Sequence, residues 1–105
     1  MPAIQIGNLA DVPEGGAGRF VVEGRPVAVF RVEGALYALD DTCSHADASL
    51  GKGEIDSDEL CVACPLHGSL FDLRTGRPRT LPAFKPVNTY RAWAEGDGLF
   101  VEYPV

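Results

Sequence analysis

Short segments of alternating apolar and polar residues dominate the chain and predict β-strands. FVVEG, PVAVFRVEG and ALYALDD lie within residues 20–41, and SLFDLRTG, VNTYRAWAEGDG and LFVEY lie within residues 69–103. Each segment is rich in valine, phenylalanine, tyrosine or leucine, and glycines separate the segments. No window carries an apolar stripe of helical period over several turns. The pattern therefore predicts an all-β fold.

Glycine-containing turns connect several of these segments. Glu33-Gly34 and Gly96-Asp97-Gly98 each lie between two β-type runs, which is typical of hairpins. Consecutive hairpins predict antiparallel sheets. Twelve glycines and eight prolines fit a compact sandwich or barrel. A length of 105 residues indicates a single domain, residues 1–105.

Composition and charge narrow the functional classes. A hydrophobic content of 46% with 23% charged residues is typical of a folded globular chain. The N-terminal stretch lacks the pattern of a secretion signal, and no apolar run approaches the roughly 18 residues of a membrane span. We therefore expect a soluble, cytoplasmic protein with no membrane partner. The net charge of -6 argues against nucleic acid as a partner.

Residues 40–59, DDTCSHADASLGKGEIDSDE, break the strand pattern and predict a loop held by something other than a core. Further on, the strand-like segments LCVAC and SLFDL flank CPLHG, which predicts a hairpin. Two loops would then each offer one cysteine and one histidine, Cys43 with His45 and Cys64 with His67.

These two loops contain both histidines of the chain and predict a metal site. Two sites fit four such ligands, a tetrahedral zinc or a [2Fe-2S] cluster with two cysteines on one iron and two histidines on the other. A cysteine and a histidine in each loop favour the binuclear cluster, and zinc remains the alternative. Cys61 forms a Cys-x-x-Cys pattern with Cys64, but it falls within a strand and is interpreted as a small core residue.

The spacing Cys43-x-His45 and Cys64-x-x-His67-Gly68 resembles the Rieske [2Fe-2S] motif. The segments DDTCSHADASLGKGEI, CPLHGSLFDLRTGRP and LPAFKP resemble those of Rieske-type ferredoxins that serve bacterial ring-hydroxylating dioxygenases. The resemblance runs from about residue 18 to the C-terminus.

This resemblance implies the Rieske-type ISP fold, in which three antiparallel sheets are stacked and a small cluster-binding subdomain, about residues 41–84, carries one [2Fe-2S] cluster. Cys43 and Cys64 would hold the inner iron, and His45 and His67 the outer iron.

The resemblance also implies how the cluster potential is set. High-potential members carry two further cysteines where this chain has Ala48 and Leu66, so no disulfide can tie the loops together. They also carry a serine and a tyrosine that donate hydrogen bonds to the cluster; Ser69 keeps the first, and Phe71 replaces the second. Leu66, Ser69 and Pro82 are thus candidates for tuning the potential or shielding the cluster. We expect a potential in the lower part of the Rieske range, roughly -150 to +300 mV.

The expected function is electron transfer rather than catalysis. A Rieske oxygenase needs a second, mononuclear iron with two histidines, and both histidines here are already assigned to the cluster. No nucleotide-binding motif is present in the sequence. The chain would carry one electron at a time from an NAD(P)H-dependent flavoprotein reductase to a terminal, aromatic-ring-hydroxylating oxygenase. The spacer of 18 residues between His45 and Cys64 leaves iron-sulfur cluster assembly or redox sensing as the alternative.

Two further expectations concern charge and aromatic residues. Residues 40–59 hold seven acidic residues and one lysine, whereas residues 72–91 hold five basic residues and one aspartate. We hypothesise that this charge separation lies at the cluster-bearing tip and orients the protein on its partners. Tyr90 and Trp93 are predicted to lie in the core.

Overall fold

A computed structural model describes residues 3–44, 47–66, 68–81, 83 and 85–103, which form three antiparallel sheets. This architecture confirms the predicted all-β class. Two short 3-10 segments, Leu9–Asp11 and Leu50–Lys52, accompany the strands, and the described part of the chain has no helix that could cross a membrane. The strands are β1 (Ala3–Asn8), β2 (Ala17–Val22), β3 (Arg25–Val32), β4 (Ala35–Asp40), β5 (Ile55–Asp56), β6 (Cys61–Ala63), β7 (Leu70–Asp72), β8 (Thr89–Tyr90), β9 (Ala92–Glu95) and β10 (Gly98–Glu102).

The three sheets have the orders β1-β10-β9, β2-β3-β4-β8 and β5-β6-β7. We refer to them as the terminal sheet, the middle sheet and the small sheet. The prediction did not include β1, although Ile4 and Ile6 alternate with polar or small neighbours as in other strands. β1 pairs with β10 at the other end of the chain, with Ala3 opposite Glu102.

The middle sheet packs against a neighbour on each face, and β3 shows how the sequence specifies this. Val27 and Val29 contribute to a core shared with Leu99 and Val101 of the terminal sheet. Ala28, Phe30 and Val32 contribute to a second core, which contains Val62 and Phe71 of the small sheet. Alternate side chains of a strand point to opposite faces, so a strand buried on both faces requires a nearly continuous apolar run. The segment PVAVFRV has such a run.

The predicted hairpin at Glu33-Gly34 is confirmed and is held by a distant carboxylate. Glu33 and Gly34 have φ angles of 51° and 80°, which the two central residues of a type I′ turn require. Their backbone N–H groups donate to Glu14 Oε2 and Oε1 at 2.8 and 2.9 Å. At the other predicted hairpin, Gly96 and Asp97 form the turn, and Gly98 already belongs to β10.

Residues 40–59 contain more regular structure than predicted. The 3-10 segment Leu50–Lys52 and strand β5 interrupt this stretch, and Leu50 is fully buried in the core beneath the small sheet. The loop prediction is therefore wrong for these residues. Leu50 and Ile55 are isolated apolar residues in a polar stretch, too few to produce a detectable period.

The two aromatic residues predicted for the core differ in their environments. Tyr90 packs against the core between the middle and terminal sheets, its ring stacks on Tyr103 at 4.9 Å, and its hydroxyl donates to Asp40. Burial and this hydrogen bond raise the pKa of Tyr90. Trp93 belongs to neither core; it stacks on Phe100 at 6.1 Å on edge strand β9. The core prediction is wrong for Trp93, because no other sheet formed by the described residues covers the outer face of the terminal sheet.

Candidate metal centre

Two cysteines from distant parts of the sequence enter the same core. Cys43 follows β4, Cys64 follows β6, and they are 4% and 1% exposed. Both belong to the core between the middle and small sheets, together with Phe71. None of the three cysteines of the chain forms a disulfide. The structure thus provides two sheltered sulfur donors of the kind that bind zinc or iron-sulfur clusters.

Two backbone contacts close the first ligand loop, which follows β4 and contains Cys43. Thr42 and Ser49 form an isolated β-bridge, and the Cys43 N–H donates to the Ala48 carbonyl at 2.9 Å. These bonds fix the backbone of Cys43 in place. His45 lies outside the described residues, so its role as a ligand stays a prediction.

The second loop is the turn of the predicted hairpin, which the structure confirms. β6 and β7 pair antiparallel, and the Cys64 N–H donates to the Ser69 carbonyl at 2.8 Å. Gly68 closes the turn with a φ of 75°, in the left-handed region that favours glycine. Its N–H donates to the Cys64 carbonyl at 2.8 Å. His67 lies outside the described residues, and its role as a ligand also stays a prediction.

Ser69, the predicted hydroxyl donor, is 1% exposed. Its Oγ accepts the Ala83 N–H at 3.1 Å. A serine hydroxyl has one hydrogen to donate in addition to its lone pairs, so this bond leaves the hydrogen available for another acceptor. Phe71 is fully buried nearby and has no hydroxyl to add. Pro82, the predicted shielding residue, lies outside the described residues.

The tip formed by the ligand loops exposes apolar side chains. Leu66, two residues after Cys64 in the turn, is 57% exposed, and Leu81 is 79% exposed. Leu81 lies between Thr80, whose hydroxyl accepts the Leu70 N–H at 2.8 Å, and Ala83, which is bonded to Ser69. These bonds hold the Leu81 segment beside the start of β7, at the same end of the small sheet as Leu66. We call Leu66 and Leu81 the tip leucines.

Part of the separated charge lies at the other end of the small sheet. Asp58 and Glu59 are in the β5–β6 turn, and Arg74 follows β7; both positions are opposite to the Cys64 turn. Arg79 Nη1 lies 3.9 Å from Glu59 Oε1, so a basic residue of one group is paired with an acidic residue of the other. The charge separation hypothesised for the tip is therefore only partly located there.

Asp72, which the sequence did not single out, is a buried carboxylate that binds several groups at the end of the small sheet away from the Cys64 turn. Its Oδ1 accepts the N–H groups of Arg74 and Thr75 at 2.8 and 3.1 Å, and its Oδ2 accepts Arg79 Nη2 at 2.6 Å. Burial alone would raise the pKa of Asp72, but these hydrogen bonds outweigh it and lower the pKa to about 2. Because the pKa is lowered on folding, Asp72 stabilises the fold above the unfolded pKa of about 4. This stabilisation is lost as the pH falls towards 2.

Cys61 is buried as predicted but lies outside both cores. It is 1% exposed, and the side chain of its neighbour Val62 enters the core beneath the small sheet. Neighbouring side chains of a strand point to opposite faces. Cys61 therefore faces the opposite side of that sheet, where it pairs in register with Asp72. Burial raises the pKa of the Cys61 thiol, which disfavours the thiolate that a metal ligand needs.

The chain matches the family described as "Rieske [2Fe-2S] domain" over residues 3–91, and it belongs to that family. It therefore carries one Rieske-type [2Fe-2S] cluster, as predicted. The described residues fit this cofactor, because Cys43 and Cys64 present two buried thiols from two adjacent loops without forming a disulfide. They would hold the cluster together with the predicted ligands His45 and His67.

The relatives define the class more narrowly as Rieske-type ferredoxins, as the sequence indicated. The chain is 44% identical over 97 residues to the 3-phenylpropionate/cinnamic acid dioxygenase ferredoxin subunits of Escherichia coli (strain K12) and Shigella flexneri serotype 5b (strain 8401). The match covers 91% of this chain and 89% of each relative. These relatives are named as ferredoxin subunits, which agrees with the prediction of an electron carrier rather than an enzyme.

Two solved structures share the fold over nearly the whole chain. The ferredoxin of carbazole 1,9a-dioxygenase from Nocardioides aromaticivorans IC177 has a TM-score of 0.89 at 35% identity and covers 96% of this chain and 97% of its own. The ferredoxin of Sphingomonas yanoikuyae B1 has a TM-score of 0.88 at 28% identity. The match covers 98% of this chain and 100% of that ferredoxin. The stacked-sheet Rieske fold predicted from the sequence is thereby confirmed.

Proposed function

We propose that this protein is a cytoplasmic one-electron carrier that accepts electrons from an NAD(P)H-dependent flavoprotein reductase. It passes them to the terminal oxygenase of an aromatic-ring-hydroxylating dioxygenase. The observation that carries the proposal is the end-to-end similarity to dioxygenase ferredoxin subunits. A related ferredoxin, 32% identical with a TM-score of 0.83, has been solved in a complex of reduced oxygenase and oxidized ferredoxin of carbazole 1,9a-dioxygenase. The alternative of iron-sulfur assembly or redox sensing rests on the spacer length alone.

The bound cluster supplies a one-electron couple, which suits a carrier between a flavin and an oxygenase. We assign it to a subdomain of about residues 41–84, which encloses both ligand loops and the small sheet. Within this subdomain the chain buries Cys43 and Cys64 and offers Ser69 as a hydroxyl donor. A histidine ligand adds no negative charge, so a cluster held by Cys43, Cys64 and the predicted ligands His45 and His67 would carry less negative charge than one held by four thiolates and would accept an electron more readily.

We further propose that the tip leucines form the centre of the contact with the oxygenase. They are two of the three large apolar side chains that are exposed in the described part of the chain, and both lie beside the ligand loops. The centres of protein interfaces are depleted in charged residues and are surrounded by a polar rim. Since Asp58, Glu59 and Arg74 lie at the far end of the small sheet, the apolar pair is the better candidate for the centre of the contact.

Replacing Leu66 or Leu81 with serine tests both parts of this proposal. In a stopped-flow experiment, the reduced protein is mixed with the oxidised terminal component of 3-phenylpropionate dioxygenase, and its reoxidation is followed by visible absorption. We expect the wild-type protein to be reoxidised. Each serine variant should lower the second-order rate constant about 5- to 30-fold, which corresponds to about 1–2 kcal/mol, because the few residues that dominate the binding energy cluster near the centre of an interface.

Val21→Ser is the matched control, because Val21 is 75% exposed on β2 of the middle sheet. It should leave the rate constant unchanged. Equal rates for Leu66→Ser, Leu81→Ser and the wild type would contradict the assignment of the contact. If cluster-loaded wild-type protein transferred no electron to the oxygenase, the proposed carrier function in this pathway would be wrong.

A further inference from the structure

Asp41 is a buried carboxylate two residues before Cys43. It is 2% exposed although charged side chains are almost never fully buried unless they are paired. Its Oδ1 accepts Ser49 Oγ at 2.7 Å and the Gly51 N–H at 2.9 Å, and its Oδ2 accepts Arg19 Nε at 3.1 Å. Its side chain thus accepts three hydrogen bonds from three separate residues.

These bonds join both stems of the first ligand loop to the middle sheet. Asp41 belongs to the stem that enters the loop, whereas Ser49 and Gly51 belong to the stem that leaves it. The Asp41 carbonyl adds a fourth link by accepting the Leu50 N–H at 2.7 Å. Arg19 lies on β2, so the same carboxylate ties the closed loop to a strand of the middle sheet.

The absence of a side chain at Gly51 lets the Asp41 carboxylate approach the Gly51 backbone. A Cβ atom added at Gly51 would lie 2.9 Å from Asp41 Oδ1 and 2.8 Å from Arg19 Cγ, closer than ordinary van der Waals contact. Glycine at position 51 therefore allows the N–H, the carboxylate and the arginine side chain to meet at one point. Asp41 is the residue before Thr42, so these contacts lie next to the Thr42–Ser49 bridge and the Cys43–Ala48 hydrogen bond.

We propose that Asp41 is the positioning residue of the first ligand loop: it fixes the backbone of Cys43 and thereby controls how firmly the protein retains its [2Fe-2S] cluster. The inference rests on Cys43 being a ligand and does not depend on which partners the protein serves. Groups that orient metal ligands typically change metal affinity about 10- to 100-fold when they are mutated. Asp41 does not touch the cluster in this role; it acts through the loop.

Asp72 provides a matched control for the removal of a buried charge. It also accepts hydrogen bonds from an arginine and from backbone N–H groups. It lies at the end of β7, across from Cys61 and away from the Cys64 turn. Asp41→Asn and Asp72→Asn therefore remove equivalent charges, one beside a ligand loop and one at the far end of the small sheet.

The experiment compares cluster-loaded wild type, Asp41→Asn and Asp72→Asn at neutral pH. The thermal midpoint is measured by circular dichroism, cluster release by the loss of visible absorption in excess chelator, and ligand geometry by the EPR spectrum of the reduced protein. We expect both variants to unfold at a lower temperature than the wild type. Asp41→Asn should release the cluster about 10-fold faster or more and show altered EPR g values. Asp72→Asn should stay within about twofold of the wild-type release rate and keep its g values.

Equal release rates for the two variants, or unchanged g values in Asp41→Asn, would reduce Asp41 to an ordinary stabilising residue and overturn the proposal. If Asp41→Asn does not fold with a cluster, Ser49→Ala decides. This milder variant removes one donor to Asp41 Oδ1 and leaves the bond to Arg19 in place. It should release the cluster about 2- to 5-fold faster than the wild type, as expected for the loss of one hydrogen bond, and an unchanged rate would also overturn the proposal.

Discussion

Alanine at position 64 should yield a colourless protein without a [2Fe-2S] cluster, whereas alanine at position 61 should leave the visible spectrum unchanged. The two cysteines are three residues apart and both are 1% exposed, so burial alone does not distinguish them. Cys64 enters the core that also contains Cys43, whereas Cys61 faces the opposite side of the small sheet. The two variants thus test whether the side of the sheet decides which thiol binds iron.

Iron and acid-labile sulfide analysis together with visible absorption would make this measurement. Cys43→Ala should behave like Cys64→Ala, because both thiolates are predicted to bind the inner iron. Cys61→Ala removes a single buried sulfur and should cost about 1 kcal/mol of stability at constant cluster content. Loss of the cluster in Cys61→Ala would show that Cys61 takes part in binding, and the ligand assignment would then be wrong.

The sequence predicted the features that depend on local patterns. Strand β3 was recognisable because its apolar run is nearly continuous, and the turn at Glu33-Gly34 because glycine tolerates a positive φ. The ligand loops were recognisable because Cys43 and Cys64 lie in short, specific patterns. Each of these signals is contained within a few residues of the chain.

The features that the sequence missed depend on distant partners. Nothing near Asp41 shows that it is buried, because its partner Arg19 lies 22 residues earlier on another strand. The pairing of β1 with β10 joins the two ends of the described chain. Trp93 is half-buried because no sheet in the described part of the chain covers the outer face of the terminal sheet. The location of the charge separation likewise required the register of the small sheet. In each case tertiary packing, rather than local preference, determines the environment of the residue.

The reduction potential should fall when the Ser69 hydroxyl is removed. Ser69 is buried, and its Oγ already accepts the Ala83 N–H, so its own hydrogen is available to the cluster predicted beside it. A hydrogen bond to the cluster stabilises the more negative, reduced state. If the hydrogen bond stabilises the reduced cluster over the oxidised cluster by about 1–1.4 kcal/mol, Ser69→Ala lowers the one-electron potential by about 40–60 mV. Potentiometric titration followed by visible absorption or EPR would measure the shift.

Two further variants separate this effect from a general disturbance of the loop. Thr80→Val also removes a hydroxyl that accepts a backbone N–H at the start of β7, but Thr80 is exposed, so the potential should stay within about 10 mV. Phe71→Tyr should raise the potential if the added hydroxyl reaches the cluster. A lower thermal midpoint in Ser69→Ala without any change in potential would show that the hydroxyl only supports the backbone at Ala83. Position 69 would then have no part in setting the potential.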